Sequence, residues 1–117
     1  MRPDVESYLT LDRLVHEPAR LVILTVLAEA EEAEFRFLEK VCGLTKGNLN
    51  GHISKLKEAG YVEARKFFRG EFPVTSLKIT HSGRKALKKY RKQLNEALQH
   101  KPAVSVGTRK SLSSLPS

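Results

Sequence analysis

The chain has 117 residues, enough for one hydrophobic core but not for two, so any function has to fit a single small domain. Its formal net charge of +8 is segregated: residues 1–40 hold five Lys/Arg against nine Asp/Glu (−4), and residues 41–117 hold sixteen against four (+12), which suits phosphate backbone, a membrane surface or an acidic protein alike. A single cysteine, Cys42, excludes an internal disulfide framework and a cysteine-based metal cluster, and fits a reducing compartment.

Residues 4 to 15 set Val5, Tyr8, Leu9, Leu11, Leu14 and Val15 among acids and Arg13, the pattern of a short helix or arm lying on the main body. A second helix is expected from Pro18, whose missing donor costs nothing in a first turn, through Arg20 to Leu27. It is apolar almost all round and belongs at the centre of the domain or between a core and a second subunit. Leaving Val22 or Val26 in water forfeits about 1.5–3 kcal/mol each. Its apolar run, Leu21 to Ala28, is far short of the roughly 20 residues that cross a bilayer, and the start Met1-Arg2-Pro3-Asp4 does not read as a signal peptide. The expectation is a soluble cytoplasmic protein with no membrane partner.

Glu29 to Glu34 reads as an acidic linker whose carboxylates favour the positive end of a short helix, marked by Phe35, Leu38, Val41 and Cys42 and stopped at Gly43. Glu31, Glu32 and Glu34 have no His or Asp beside them in sequence, so solvated capping acids are expected rather than a metal site. Cys42 reads as a small core residue, with a redox-sensing or inter-subunit thiol as the alternative. Gly43-Leu44-Thr45 is then a tight turn into a helix capped by Thr45, with Leu49, Ile53 and Leu56 at i, i+4 and i+7 and a left-handed stop at Gly60. At about 100° per residue, Gly47, Asn48, Asn50, Gly51, Ser54 and Lys55 fall on or beside the opposite face. Asn can bridge N6 and N7 of adenine, Lys reaches guanine or phosphate, and Gly and Ser allow close approach to a duplex. His52, at the edge of the apolar face, is expected to be partly buried with a satisfied ring nitrogen.

After Gly60 the pattern turns extended. Val62 to Phe68 and Val74 to Thr80 form a hairpin turned at Gly70, with Pro73 punctuating the start of the second strand. A last helix, capped by Thr80 or Ser82, carries Leu87, Tyr90, Leu94, Ala97 and Leu98 as one stripe. Arg84, Lys85, Lys88, Lys89, Arg91 and Lys92 occupy its other faces. The stripe has the spacing of a dimerising seam, and packing on the chain's own helices gives the same spacing; the seam is the expectation, with Tyr8 and Leu11 joining it from the N-terminal arm. Residues 101–117 read as a disordered basic, Ser-rich tail following a domain of residues 1–100.

The order of elements and the wording Arg20-x-x-Ile23-Leu24, Phe35-x-x-Leu38, Gly43-Leu-Thr-x-Gly-Asn-Leu49, His52-x-x-x-Leu-x-x-Ala-Gly-Tyr-Val62 and Leu77-x-Ile-Thr-x-x-Gly-Arg84 resemble the MarR/ArsR-like winged-helix regulators. Within that group the chain looks closest to small stand-alone winged-helix DNA-binding proteins, over about residues 14 to 95. The resemblance implies a mainly α fold with a small β-hairpin wing, a winged helix-turn-helix. It implies a cytoplasmic transcriptional regulator, usually a homodimer, that sets the third helix of each subunit in the major groove of double-stranded DNA while each wing touches a minor groove or backbone. Carried over by residue, Thr45, Lys46, Asn48, Asn50, Ser54 and Lys55 contact DNA from the helix, with Gly51 beside them, and Arg65, Lys66 and Arg69 from the wing. The tip departs from the pattern, with Glu71 and Phe72 where such proteins often place further bases. Backbone contacts from the base of the hairpin, through Arg65, Lys66 and Lys78, are therefore expected.

There is no phosphate-cradling glycine loop, nucleophile elbow or His–acid pair at catalytic spacing, so no catalytic residues, cofactor or metal are expected and the chain does not read as an enzyme. A small-molecule effector is left open. The competing reading is a winged-helix protein-interaction or architectural module without sequence-specific readout, favoured by the acid at the tip and by Phe72.

Overall fold

The computed structural model describes residues 11–99, in which four helices and three strands follow in the order helix, strand, helix, helix, strand, strand, helix. The segment expected as a helix or arm lies outside the described residues up to position 10, Tyr8 included, and residues 11–17 are turns rather than helix. Asp12 is the reason: its Oδ1 accepts from the N–H of Leu14 at 2.9 Å, an Asx turn that competes with helix, and its Oδ2 accepts from the Tyr61 hydroxyl at 3.0 Å. The expected disordered tail, 101–117, also lies outside the described residues.

Helix α1, Pro18–Ala30, starts at the expected proline, and the Glu17 carboxylate caps it by accepting from the N–H of Arg20 at 2.7 Å. Ile23, Leu24 and Leu27 are fully buried, while Val22 stays 39% exposed, so the helix is central on one side and open on another. Strand β1 is Glu32–Glu34, and helix α2 follows directly as Phe35–Cys42, ending at left-handed Gly43 with Leu38 buried. Helix α3 spans Lys46–Glu58. Thr45 Oγ1 accepts from the N–H of Asn48 at 3.2 Å, and Leu49, Ile53 and Leu56 are buried as their spacing requires. Gly60, at φ 80°, closes the helix: its N–H bonds Lys57 O and that of Tyr61 bonds Leu56 O, both at 2.9 Å, the Schellman arrangement.

Strands β2, Val62–Arg69, and β3, Phe72–Ile79, pair antiparallel around a turn at Gly70–Glu71. Helix α4, His81–Gln99, is capped by Thr80, whose Oγ1 accepts from the N–H of Gly83 at 3.0 Å; this settles the choice between Thr80 and Ser82.

Two expectations change here. Glu32 to Glu34 is not a linker of solvated capping acids but a third strand on the far edge of β3, in register Glu32↔Lys78, Ala33↔Leu77 and Glu34↔Ser76. Ala33 and Leu77 meet on the core face, so the two glutamates point to the other face by the period-two alternation of a strand. The proposed dimer stripe is also largely internal. Leu11, Leu87 and Tyr90 belong to the core of the single chain, Ala97 is buried, Leu94 packs against the core, and Leu98 alone of the described set is exposed, at 63%. The three-and-four spacing of this stripe therefore serves packing of α4 against α1. The two helices are tied further by Arg84 donating to Ala28 O and Arg91 to Thr25 Oγ1.

Candidate nucleic-acid interface

Helix α3 buries one stripe and leaves the remainder to solvent. Thr45, Lys46, Gly47, Asn48, Asn50, Gly51, Ser54 and Lys55 are all exposed. Gly47 and Gly51, at i and i+4, share the outermost line, and a Cβ built on either meets no atom within 4 Å. Among the described residues no neighbour requires those glycines.

One flank of α3 faces the hairpin. Lys46, Asn50, Ser54 and Lys57 line a groove of about 260 Å³ whose far wall is Lys66 and Thr75, with Phe35, Ile53 and Leu77 lining it between. The structure thus gathers Lys46, Asn50, Ser54 and Lys66 from the expected set. It adds Lys57, which follows Asn50 by seven residues and Ser54 by three, a spacing visible in the sequence. Asn48 and Lys55 lie on the opposite flank with His52, to which they are related by four and three residues. His52 is partly buried as expected. Its Nδ1 accepts from Arg20 Nη1 at 3.1 Å, with Glu17 Oε1 3.8 Å away, while Arg20 Nε donates to Leu14 O at 2.6 Å. That bond occupies the imidazole with fixing α3 against α1. The Thr45 hydroxyl is likewise engaged, as the cap.

The wing does not present its three cations together. Lys66 and Thr75 are register partners on the α3 side, whereas Arg65 and Arg69, odd-numbered on the same strand, lie on the opposite face. There Arg65 donates through Nε and Nη2 to Glu32 Oε2 at 3.3 and 3.0 Å, and Arg69 grips Glu34 through both terminal nitrogens at 3.2 and 2.7 Å. Both guanidiniums lie over the Phe67 ring, at 4.6 and 5.7 Å from its centroid. The Ser76 hydroxyl also donates to Glu32, at 2.6 Å. Ser76 and then Arg65 hold the Glu32 carboxyl below the usual carboxylate range, and Arg69 does the same for Glu34. Lys78, expected to help at the hairpin base, is opposite Glu32 on this same face. At the tip, Phe68 and Phe72 are 72% and 76% exposed.

Burial raises the thiol of Cys42, which is half-buried against the core. Among the described residues no cluster of three or more His, Cys, Asp or Glu is placed to hold a metal, and no helix is long and apolar enough to cross a membrane.

A helical core with a helix-turn-helix, α2 to α3, followed by a hairpin packed beside the second of those helices, is the winged helix architecture. Residues 19–98 match the model of the winged helix DNA-binding domain, and the chain belongs to that family. It is 38% identical over 78 residues to an uncharacterized protein of Methanocaldococcus jannaschii, covering 67% of this chain and 85% of that one. Among solved structures, a transcriptional regulator homologue from Pyrococcus horikoshii OT3 superposes with a TM-score of 0.71 at 30% identity, over 80% of this chain and 90% of that chain. Bacillus subtilis PadR, solved in complex with operator DNA, shares the fold with a TM-score of 0.54 at 17% identity, over 80% of this chain and 58% of PadR. The chain is thus a member of the winged helix DNA-binding domain family.

Proposed function

We propose that the chain acts as a homodimeric, sequence-specific regulator in the cytoplasm, reading the major groove of double-stranded DNA with α3. The pair Gly47 and Gly51 carries this reading. A glycine inside a helix costs about 0.5–1 kcal/mol relative to alanine, and here neither is compensated by any contact within 4 Å of its missing Cβ. What the two glycines leave is a smooth line along the exposed face of α3, bordered by Asn48 and Lys55 on one flank and Asn50 and Ser54 on the other. That profile suits the floor of a groove. Asn50 and Asn48 supply the donor–acceptor pair that matches adenine, Ser54 is small enough to meet either base, and Lys46, Lys55, Lys57 and Lys66 neutralise phosphate. The engaged groups take other roles: Thr45 caps the helix, and Arg65 and Arg69 brace the wing.

Dimerisation in this reading uses surface the single chain leaves open, Val22 on α1 and Leu98 near the end of α4, both exposed. Two linked reading helices raise affinity and set the spacing of half-sites. A second reading, docking to another protein, draws on Phe68 and Phe72 at the wing tip.

Selection of bound sequences from a random duplex library near physiological salt, with the mass in solution measured alongside, separates the two. Enrichment of an inverted repeat by a dimer supports the regulator. Salt-sensitive binding without enrichment overturns it in favour of an architectural or protein-docking role.

A further inference from the structure

We propose that Glu32 and Glu34 withhold Arg65 and Arg69 from DNA phosphate, and so act as specificity-determining residues that limit sequence-blind affinity. The inference rests on the reading of the chain as a duplex-binding protein.

The geometry of the sheet supplies the device. Strand β3 lies between β1 and β2, so the arginines of β2 must reach across a whole strand to meet the glutamates of β1. Neighbouring strands are about 4.8 Å apart, so β1 and β2 are about 9.6 Å apart across β3, a gap that an extended arginine and a glutamate close by reaching toward each other. Below the crossing sits Ser76, 4% exposed, whose hydroxyl holds Glu32 in place independently of Arg65. The glutamates are two residues apart on one face of β1, and the arginines are four apart on one face of β2. Each guanidinium thereby meets its own carboxylate while both rest on Phe67. Carboxylate oxygens in a fork geometry satisfy arginine as phosphate oxygens do, so the acids occupy the positions a DNA backbone would otherwise take.

The consequence is a division of charge between the two faces of the wing. The side toward α3 keeps Lys46, Lys57 and Lys66 around its groove, whereas on the opposite side Arg65 and Arg69 are paired with Glu32 and Glu34, and Lys78 stands between Glu32 and Glu63 in the register. Arginine on the free face would add phosphate contacts that carry no sequence information and strengthen binding to every duplex equally.

The test measures the dependence of the binding constant on salt for a short duplex of arbitrary sequence. Glu32→Gln with Glu34→Gln should steepen the slope of log K against log salt by about 0.9 for each arginine released. Glu34→Gln alone, which leaves the Glu32 bonds to Ser76 and Arg65 in place, should give one such step. Glu63→Gln is the control for a mere loss of negative charge: Glu63 is on the same sheet face but forms no ion pair among the described residues. Adding Arg65→Gln and Arg69→Gln to the double variant should restore the original slope, and those two changes alone should leave it unmoved. The proposal is overturned if the glutamate variants match Glu63→Gln, or if the arginine variants alone flatten the slope. A chain that shows no salt-dependent duplex binding overturns the DNA reading and this proposal with it, whereas binding with those unchanged slopes overturns the proposal only.

Discussion

A Cβ placed on Gly83 would lie 2.2 Å from the carbonyl oxygen of Tyr61, closer than any side chain tolerates. The first turn of α4 is thereby seated directly on the turn that leaves α3. Thr80 fastens the same junction by donating its hydroxyl to Gly60 O at 2.6 Å and its N–H to Tyr61 O at 2.9 Å. Since the Tyr61 oxygen is backbone and already accepts from Thr80, it has little room to yield. Gly83→Ala should therefore cost about 1–3 kcal/mol, the range of core overpacking. Thermal unfolding would show it as a fall of about 4–8 °C per kcal/mol lost. An unchanged midpoint would mean that the two turns are not in contact.

Substitutions of Gly51 should separate stability from binding. With open space around it, Gly51→Ala is expected to raise stability by about 0.5–1 kcal/mol through helix propensity alone. Gly51→Met should also be stabilising, yet reduce duplex affinity because its side chain stands where α3 meets the groove. Parallel denaturation and binding curves check this. Retained affinity in Gly51→Met would remove α3 from the interface.

Thr45 is expected to behave as a cap. Thr45→Ala should lower stability by about 0.5–2 kcal/mol through loss of the acceptor for the Asn48 N–H, and Thr45→Ser should restore most of it. If Thr45→Ala left stability untouched while abolishing binding, its hydroxyl would belong to the DNA contact instead.

The pairing of β1 should be acid-sensitive. Glu32 and Glu34 have folded-state pKa values lowered by Ser76 and Arg65 and by Arg69, so their contribution is present above the unfolded carboxylate pKa and is lost as pH falls through the folded values. The window lies below about pH 4. Amide exchange along Glu32–Glu34, compared with that along β2 and followed from neutral to acid pH, should show β1 opening before the β2–β3 hairpin. In Glu32→Gln/Glu34→Gln that pH step should shrink.

Cys42 should react slowly. Burial raises its thiol, so less thiolate is present at neutral pH than in a free cysteine, and alkylation should lag behind that of a small thiol until the chain is unfolded. Fast modification of the folded protein would revive the redox-sensing alternative.

Local chemistry made much of this protein readable without coordinates. Thr45 and Gly60 bound α3, Pro18 starts α1, Gly70 turns the hairpin and Thr80 opens α4, because caps, left-handed stops and turns are decided by residues within one turn of the chain. The buried stripe of α3 followed from its 3.6-residue period for the same reason. Strand β1 was not readable: Glu32-Ala33-Glu34 has no strand propensity, and its hydrogen-bonding partner lies more than forty residues away on β3. Nor did spacing reveal whether Leu87 and Tyr90 face a second subunit or their own core, since both give the same repeat. That Arg65 and Lys66 point to opposite faces was implicit in strand alternation. What they meet there was not, because Glu32 and Glu34 reach Arg65 and Arg69 only once β3 has brought two distant segments side by side. The sequence by itself determined the helices α1 to α4, the β2–β3 hairpin and which face of α3 is left to solvent; the tertiary structure alone decided that Glu32 to Glu34 form a strand and which of the wing's cations are paired, because ion pairing depends on distances that exist only after the sheet has formed.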